Sequence, residues 1–321
     1  MKPKAIIGID LGGTNVRAGV VTTNGQLLTD RDTPINAIEG PEIGLQRIIQ
    51  LIENVRTEAN IEIEAVGIGC TGPLDRIAGT INNPYTLPTW ENVNINQSLQ
   101  DHFSVPICLE NDADAAALGE SWMGAGRGLS RVLMVTVGTG VGTGFILDGK
   151  IYRGMAGVHP EGGHIPIDPA GPLCYCGAKG CLESLASGSG IAAFAQSRVL
   201  GTSSILMTKT SHNPEKITAE MVMDAAQAGD ALAAEIVQQS ATHLALGLIN
   251  LLHLYLPDCV VFSGGVMHSF SLYKPRLEEM IKSHSIMSPL DKIPLLLAQL
   301  GQKAGIYGAA RAAMLEHIIQ T

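Results

Sequence analysis

Charge is scarce in this chain: 16% of its 321 residues are Asp, Glu, Lys or Arg, against 45% hydrophobic. The formal net charge of -9 is spread without a long run of either sign. That argues against a general nucleic-acid or anionic-membrane role, since both need clustered cations. The apolar content excludes a disordered chain. Long hydrophobic runs are missing too. Ala5-Ile-Ile-Gly-Ile9 is stopped by Asp10, far short of a signal-peptide core or a membrane span. A cytoplasmic protein is the expectation. There is no low-complexity linker, no Gly-Lys-Ser/Thr phosphate loop and no clean dinucleotide fingerprint. Cysteine is sparse, with six in all.

Three of those cysteines fall together. The stretch His159-Pro-Glu161-Gly-Gly-His164 is followed by Cys174-Tyr-Cys176-Gly-Ala-Lys-Gly-Cys181-Leu-Glu183. One His and three Cys match the donor set of a closed tetrahedral zinc site. The spacing is not the common paired Cys-x2-Cys, and a redox-inert loop with incidental cysteines is the competing reading. It is the weaker one in a chain with so few cysteines. Prolines and glycines break regular structure here, so the metal would staple a loop that presents Glu161, His164 and Glu183. Cys70, Cys108 and Cys259 sit in or beside apolar runs and read as buried reduced thiols.

The chain also repeats itself. Ala5–Ile9 reads as a buried strand, Asp10-Leu-Gly12-Gly13-Thr14-Asn15 as a tight turn, Val16–Val21 as a returning strand, and Asn24-Gly25 as a hairpin. The same pattern recurs at Val132–Val137, Gly138-Thr139-Gly140-Val-Gly142-Thr143-Gly144, Phe145–Leu147 and Asp148-Gly149. We read this as an internal duplication of a β-meander. Alternating helices and strands follow each copy, which implies α/β layers and two similar domains facing a cleft. The expected division is 1–113 with 304–321 against 114–303, with a hinge near Asp112 to Gly126.

Each motif has a plain reading beside a chemical one. A Gly-Gly turn lets backbone N–H groups approach an anion, and Asp10 at a strand end can hold Mg²⁺; a simple hairpin with a solvated Asp is the alternative. Two such turns would clamp a polyphosphate. In Glu110-Asn111-Asp112, a carboxylate after an apolar strand is well explained as a helix N-cap. Its chemical reading is a general base taking a proton from an alcohol, with Asn111 able to donate to and accept from a hydroxyl. Asn82-Asn83-Pro84 is turn chemistry or amide recognition of hydroxyls. Ser263-Gly264-Gly265 is a strand-to-helix turn or a flat seat for an adenine.

Taken together these residues resemble the ROK family of sugar kinases, within the actin, hexokinase and Hsp70 fold superfamily. The matching pieces are Asp10–Thr14, Thr71-Gly72-Pro73, Glu110–Asp112, the Gly138–Gly144 turn, Glu161-x-Gly163-His164, the Cys174 to Glu183 stretch and Ser263–Gly265. They follow the family's order and span essentially the whole chain. The resemblance implies two actin-like, ribonuclease H-like α/β domains flanking a cleft. It implies Asp112 as catalytic base, and Asn111, Glu161, His164 and Glu183 as sugar ligands, with Asn83 and Gly72 lining the pocket. His164, Cys174, Cys176 and Cys181 would bind a structural zinc. ATP phosphates would lie on Gly12, Gly13, Thr14, Asn15, Arg17 and on Gly138, Thr139 and Gly140. Asp10 would sit near their Mg²⁺, and Gly264 and Gly265 near the adenine. A homodimer is the family-level expectation.

One departure bears on the sugar. Many glucokinase-like members carry Glu-Ile-Gly-His, whereas here Glu161-Gly162-Gly163-His164 follows His159-Pro160, a lead-in resembling the fructokinase branch. Glucose phosphorylation at the 6-hydroxyl is the leading expectation. N-acetylglucosamine, N-acetylmannosamine or fructose kinases are alternatives. Sugar-sensing ROK regulators are an alternative of another class, but those carry an N-terminal helix-turn-helix. With a first strand at Ala5 there is no room for one ahead of it.

Overall fold

The apolar runs and turn residues of the first third resolve into strands β1 (Lys4–Leu11), β2 (Asn15–Val21) and β3 (Leu27–Pro34), helix α1 (Pro41–Ala59) and strand β4 (Glu62–Cys70). The short strands β5 (Leu74–Asp75), β6 (Thr80–Ile81) and β7 (Val93–Asn94) follow, then α2 (Ile95–Phe103), β8 (Ile107–Asn111) and α3 (Asp112–Met123). Next come β9 (Arg131–Val137), β10 (Val141–Leu147) and β11 (Lys150–Ile151). Helices α4 (Leu182–Ala186), α5 (Gly188–Arg198), α6 (Ile205–Lys209), α7 (Ala219–Gln227) and α8 (Ala231–Tyr255) lead to β12 (Cys259–Ser263). The chain closes with α9 (Phe270–Ser283), β13 (Leu295–Leu297) and α10 (Ala304–His317). This computed structural model describes residues 3–318.

The two large sheets have the same plan. The first runs β3-β2-β1-β4-β8 and the second β11-β10-β9-β12-β13. In the first, β1 pairs antiparallel with β2 and parallel with β4, and β4 is parallel to β8. In the second, β12 is parallel to both β9 and β13. The duplicated meander of the sequence is thus a duplicated five-stranded sheet, and the α/β class with actin-like halves holds.

By its contacts the chain divides into two units. One holds the chain up to Ser130, Gly144–Tyr152 and the chain from Ala298; the other holds Arg131–Thr143 and Arg153–Leu297. The sequence places the division earlier, at 113/114, and the return later, at 304. The physical reason is close helix packing. A Cβ added at Gly119 of α3 would fall 2.3 Å from the Ala304 carbonyl oxygen, and one at Gly308 of α10 would fall 1.6 Å from that of Ala115. Small residues on both helices let their backbones touch, so α3 belongs with the first sheet. Glu120, fully buried on α3, accepts N–H bonds from Ala125, Gln299 and Leu300 at 2.8–3.1 Å. A buried carboxylate needs such donors, and these lie close to the points where the chain leaves this unit and re-enters it.

One face of the first sheet packs on α1 through Ile7, Ile9 and Leu11 against Ile48, Leu51, Ile52 and Val55. The other face is a row of glycines, Gly19, Gly8 and Gly67, aligned by strand register. A Cβ at Gly8 would lie 2.0 Å from the Ile306 carbonyl oxygen and one at Gly67 1.8 Å from that of Ala309. The sheet therefore accepts α10 at backbone distance. Among the described residues no helix is long and apolar enough to cross a membrane.

Overpacking at such a contact costs about 1–3 kcal/mol. Gly67→Ala should therefore lower the melting temperature by several degrees. Gly154→Ala, whose added Cβ would meet only the Val158 oxygen at 3.5 Å, should leave it nearly unchanged. Equal melting temperatures in a calorimetric comparison would refute the close approach of α10.

Candidate active site

In the first unit the site is built at the carboxyl ends of parallel strands. The register sets Leu11 beside Cys70 and Cys70 beside Asn111. Asp10, Thr71 and Asp112 consequently come to one edge of the sheet, where ligands of α/β folds characteristically bind. Asn111 caps α3: its Oδ1 accepts from the N–H groups of Ala113 at 2.9 Å and Asp114 at 3.3 Å. The plain reading of Asp112 as an N-cap therefore fails, because its neighbour does that work. Asp112 Oδ2 instead accepts the Thr71 hydroxyl at 2.8 Å, and Oδ1 shares the Ala113 N–H at 2.8 Å. The carboxylate is oriented by two donors and neutralised by no cation in those bonds.

Capping also limits Asn111. Its oxygen is committed, so towards a ligand it offers only its NH₂ group, which lies 3.7 Å from where a Cβ at Gly72 would sit. Asn83 differs from its expected role. It is fully buried; its Nδ2 donates to the Thr71 carbonyl at 2.9 Å and to the Thr86 hydroxyl. Its Oδ1 accepts from Tyr85 and Thr86 N–H groups. The amide thus holds the Thr71–Gly72 segment in place and has no atom left over for a sugar hydroxyl. Glu110 is buried and faces Arg76 at 4.0 Å, away from this chemistry. It forms with Cys108 and Glu316 a second group of close donor atoms. Arg76, 3.0 Å from Glu316, already supplies the positive charge there.

The Asp10 turn is tight. The Gly12 N–H donates to Asn15 O at 3.0 Å. Gly13 needs to lack a side chain, since a Cβ would lie 2.6 Å from the Thr86 carbonyl oxygen. Burial raises the Asp10 pKa, Arg17 at 3.4 Å partly offsets this, and the charge of Asp112 adds to the rise. Two neighbouring carboxylates, with one arginine at 3.4 Å from Asp10, would be relieved by a hard cation, so the donor chemistry fits Mg²⁺.

The second unit carries candidate elements of its own. The Gly138–Gly140 turn ties its carbonyls to the start of α5: Gly188 N–H donates to Gly138 O at 2.7 Å and Ser189 N–H to Thr139 O at 3.4 Å. Gly264, with φ of 94°, sits against β9, its missing Cβ 2.3 Å from Val137 O. The space over Gly138 and Gly265 is open to at least 4 Å. Glu183, in the first turn of α4, accepts the Val141 N–H at 2.8 Å, and Gly140 leaves room for it.

The His/Cys stretch folds as expected for a ligand set. The candidate donor atoms of His164, Cys174, Cys176 and Cys181 all lie within 4.8 Å of one another. Cys174 Sγ is 3.6 Å from His164 Nδ1, and Cys176 Sγ is 3.6 Å from Cys181 Sγ. A tetrahedral ion with Zn–S bonds of about 2.3 Å holds its sulfurs about 3.8 Å apart, so the residues fit such an ion. Burial opposes a Cys174 thiolate, yet hydrogen bonds from Ser184, Cys176 and His164 prevail and bring its pKa to about 6. Nδ1 is therefore the cluster-facing nitrogen of His164. The other, Nε2, expected to face a sugar hydroxyl, meets the hydroxyl of Tyr175 at 3.1 Å.

Three supporting residues escaped the sequence reading. Thr71 was visible only as part of a turn; its role needs the β4–β8 register, which no motif encodes. Tyr175 lies between two cysteines and carries no signal of its own in the ligand spacing. His159 stood in the motif without a role: its Nε2 lies 3.0 Å from Glu161 Oε1. That hydrogen bond, against the opposing effect of burial, lowers the Glu161 pKa.

These observations meet the known proteins at this point. The model of the ROK family matches residues 6–315, and the chain belongs to that family. It is 34% identical to the glucokinase of Thermotoga maritima over 95% of this chain and 96% of that one. The crystal structure of a ROK hexokinase from Thermus thermophilus superposes with a TM-score of 0.83 at 33% identity, covering 97% of this chain and 98% of that one. A ROK family glucokinase from Streptomyces griseus, in complex with glucose and AMPPNP, superposes with a TM-score of 0.76 at 32% identity, covering 96% and 99%.

The four-donor cluster predicts about one thiophilic metal ion per folded chain. Cys176→Ser should lower that stoichiometry in plasma emission analysis and expose the loop to proteolysis. Wild-type protein that is fully active yet free of bound metal would refute the ligand assignment.

Proposed function

We propose that the protein is an ATP-dependent hexose kinase that converts glucose to glucose 6-phosphate, with Asp112 as general base. The observation that carries this reading is the Asp112 carboxylate. Asn111 relieves it of capping, Thr71 and the Ala113 N–H orient it, and it stands at the carboxyl edge of parallel strands beside Asp10. A sugar-sensing regulator on the same fold would have no use for a base so placed. The glucokinase relatives and the glucose complex of a family member support the choice of substrate.

In this reading the sugar is held by Glu161, Glu183, His164 and the Asn111 amide, with Gly72 giving room. Asn83 acts behind them through Thr71. The 6-hydroxyl gives its proton to Asp112 as its oxygen bonds to the γ-phosphorus, and ADP departs. Phosphoryl transfer of this kind depends on in-line positioning and on charge neutralisation more than on covalent chemistry. The turns Gly12–Arg17 and Gly138–Gly140 offer backbone donors to the phosphates, and Gly264–Gly265 a flat bed for the adenine. Mg²⁺ near Asp10 would neutralise phosphate charge during transfer. We assign zinc to the His164, Cys174, Cys176 and Cys181 set, as structural support for His164 and Glu183. Free cysteines throughout suit a reducing cytoplasm, and a homodimer is the expected assembly.

His159-Pro160 ahead of Glu161 favours one second reading, a fructose kinase; a coupled assay across glucose, fructose, mannose and the N-acetylhexosamines separates the two. Asp112→Asn should keep sugar affinity within a few-fold while cutting turnover by at least about 10²-fold. Near-normal turnover in that variant would remove Asp112 as the base.

A further inference from the structure

Glu161 is presented by a loop with little regular structure, and a single hydroxyl holds that loop on both sides of it. Thr143 lies in β10, the strand returning from the second Gly/Thr turn, and is 8% exposed. Its Oγ1 accepts the Gly162 N–H at 2.9 Å and donates to the Pro160 carbonyl at 3.1 Å. These are the peptide groups that flank Glu161. A hydroxyl can serve as donor and acceptor at once, and no purely apolar side chain of the same shape can do either.

The same side chain explains why the loop departs from the Glu-Ile-Gly-His pattern. A Cβ at Gly162 would fall 2.7 Å from Thr143 Oγ1, 2.8 Å from its Cγ2 and 3.2 Å from Leu251 Cδ2. With threonine at 143, position 162 has no room for a side chain. Gly163 lies equally close to the strand, its missing Cβ 2.0 Å from the Val141 carbonyl oxygen. The segment from Glu161 to His164 is therefore laid along β10, glycine to backbone, with Thr143 as its fastening. His159 meets the Glu161 carboxylate, and Thr143 meets the peptide groups on either side of it.

We propose that Thr143 is the positioning residue for Glu161, paired with Gly162, and that it sets sugar affinity by fixing where the Glu161 carboxylate stands. This rests on the reading of Glu161 as a sugar ligand. The phosphate turn and the sugar loop then share one strand. Val141 N–H fixes Glu183 and the Thr143 hydroxyl fixes Glu161, so both glutamates are referenced to β10.

The test compares T143V, T143S and E161Q in steady-state kinetics with glucose and ATP, beside thermal melts. Small misplacement of a binding group carries a large penalty, so T143V should raise the glucose KM roughly 10- to 100-fold. The ATP KM should stay within about twofold, and T143S should remain near wild type. E161Q should raise the glucose KM at least as far, and adding T143V to it should raise the KM little further, as expected for residues acting as a unit. A wild-type glucose KM in T143V, with E161Q impaired, overturns the positioning role alone. An unchanged glucose KM in E161Q removes the reading of Glu161 and this proposal with it. A fall in melting temperature with glucose KM unchanged marks Thr143 as merely structural and also overturns the proposal. If T143V does not fold, Gly162→Ala, which pushes Oγ1 off both peptides, must raise the glucose KM with the ATP KM unchanged, or the proposal fails.

Discussion

The parallel pairing of β4 between β1 and β8 is the constraint on which the candidate site of the first unit depends. Parallel strands end together, so a fixed register converts three distant turns into one edge. Asp10, Thr71 and Asp112 are separated by tens of residues in the chain, yet Leu11, Cys70 and Asn111 are neighbours across the ladder. A slip of one residue would exchange the two faces of β4. It would turn the glycine at 67 away from α10 and replace it with a side chain against a helix backbone. The register that assembles the site is thus the one the glycine row Gly19, Gly8 and Gly67 enforces by its contact with α10. Packing and chemistry are set by the same few small residues.

The second unit solves a different problem, because its candidate side chains come from a loop and from the first turn of α4. Glu161, His164 and Glu183 have no ladder to fix them. Gly162 and Gly163 press the loop onto β10, Glu183 reaches the Val141 N–H, and the His/Cys cluster ties the segment from His164 to Cys181. Isolated bridges between Pro166 and Cys181 and between Leu173 and Lys179 add little by themselves. Glycine here is a packing residue: it brings a mobile class of structure to within backbone contact of a rigid one.

Much of this was legible in the chain. The repeated meander announced two sheets of one plan, because hairpin and Gly/Thr turn residues are local signals. The clustering of His164, Cys174, Cys176 and Cys181 was legible because four soft or borderline donors crowd into a chain poor in cysteine. The division between units was not, since it turns on Gly119 and Gly308 letting α3 and α10 touch, and small residues look alike whether they face a helix or solvent. Nor could hydrogen-bond partners across strands be read. Thr71 and Asn83 sit in turns whose composition suggests turn chemistry, and Asn83 does engage in it. Only the fold shows that Asn83 holds Thr71 and that Thr71 orients Asp112.

Asn111 and Asp112 show how adjacent residues acquire different work from geometry alone. Both can cap a helix, and propensity barely separates them. The residue that ends β8 has extended dihedral angles, φ -66° and ψ 145°, which aim its side chain back at the first free N–H groups of α3. That residue is Asn111, so the neutral amide takes the capping role, and the charged residue falls one step later, on the helix. Had the order been reversed, a carboxylate would have been drawn into the cap by the helix dipole and the exposed donors. Its lone pairs would then have been committed to backbone. With Asn first, the Asp112 carboxylate gains orientation from Thr71 and from one shared N–H, and its remaining lone pairs are not drawn into the cap. The dipeptide order therefore decides which side chain is spent on the cap and which is not: it converts a helix start into the seat of an oriented carboxylate.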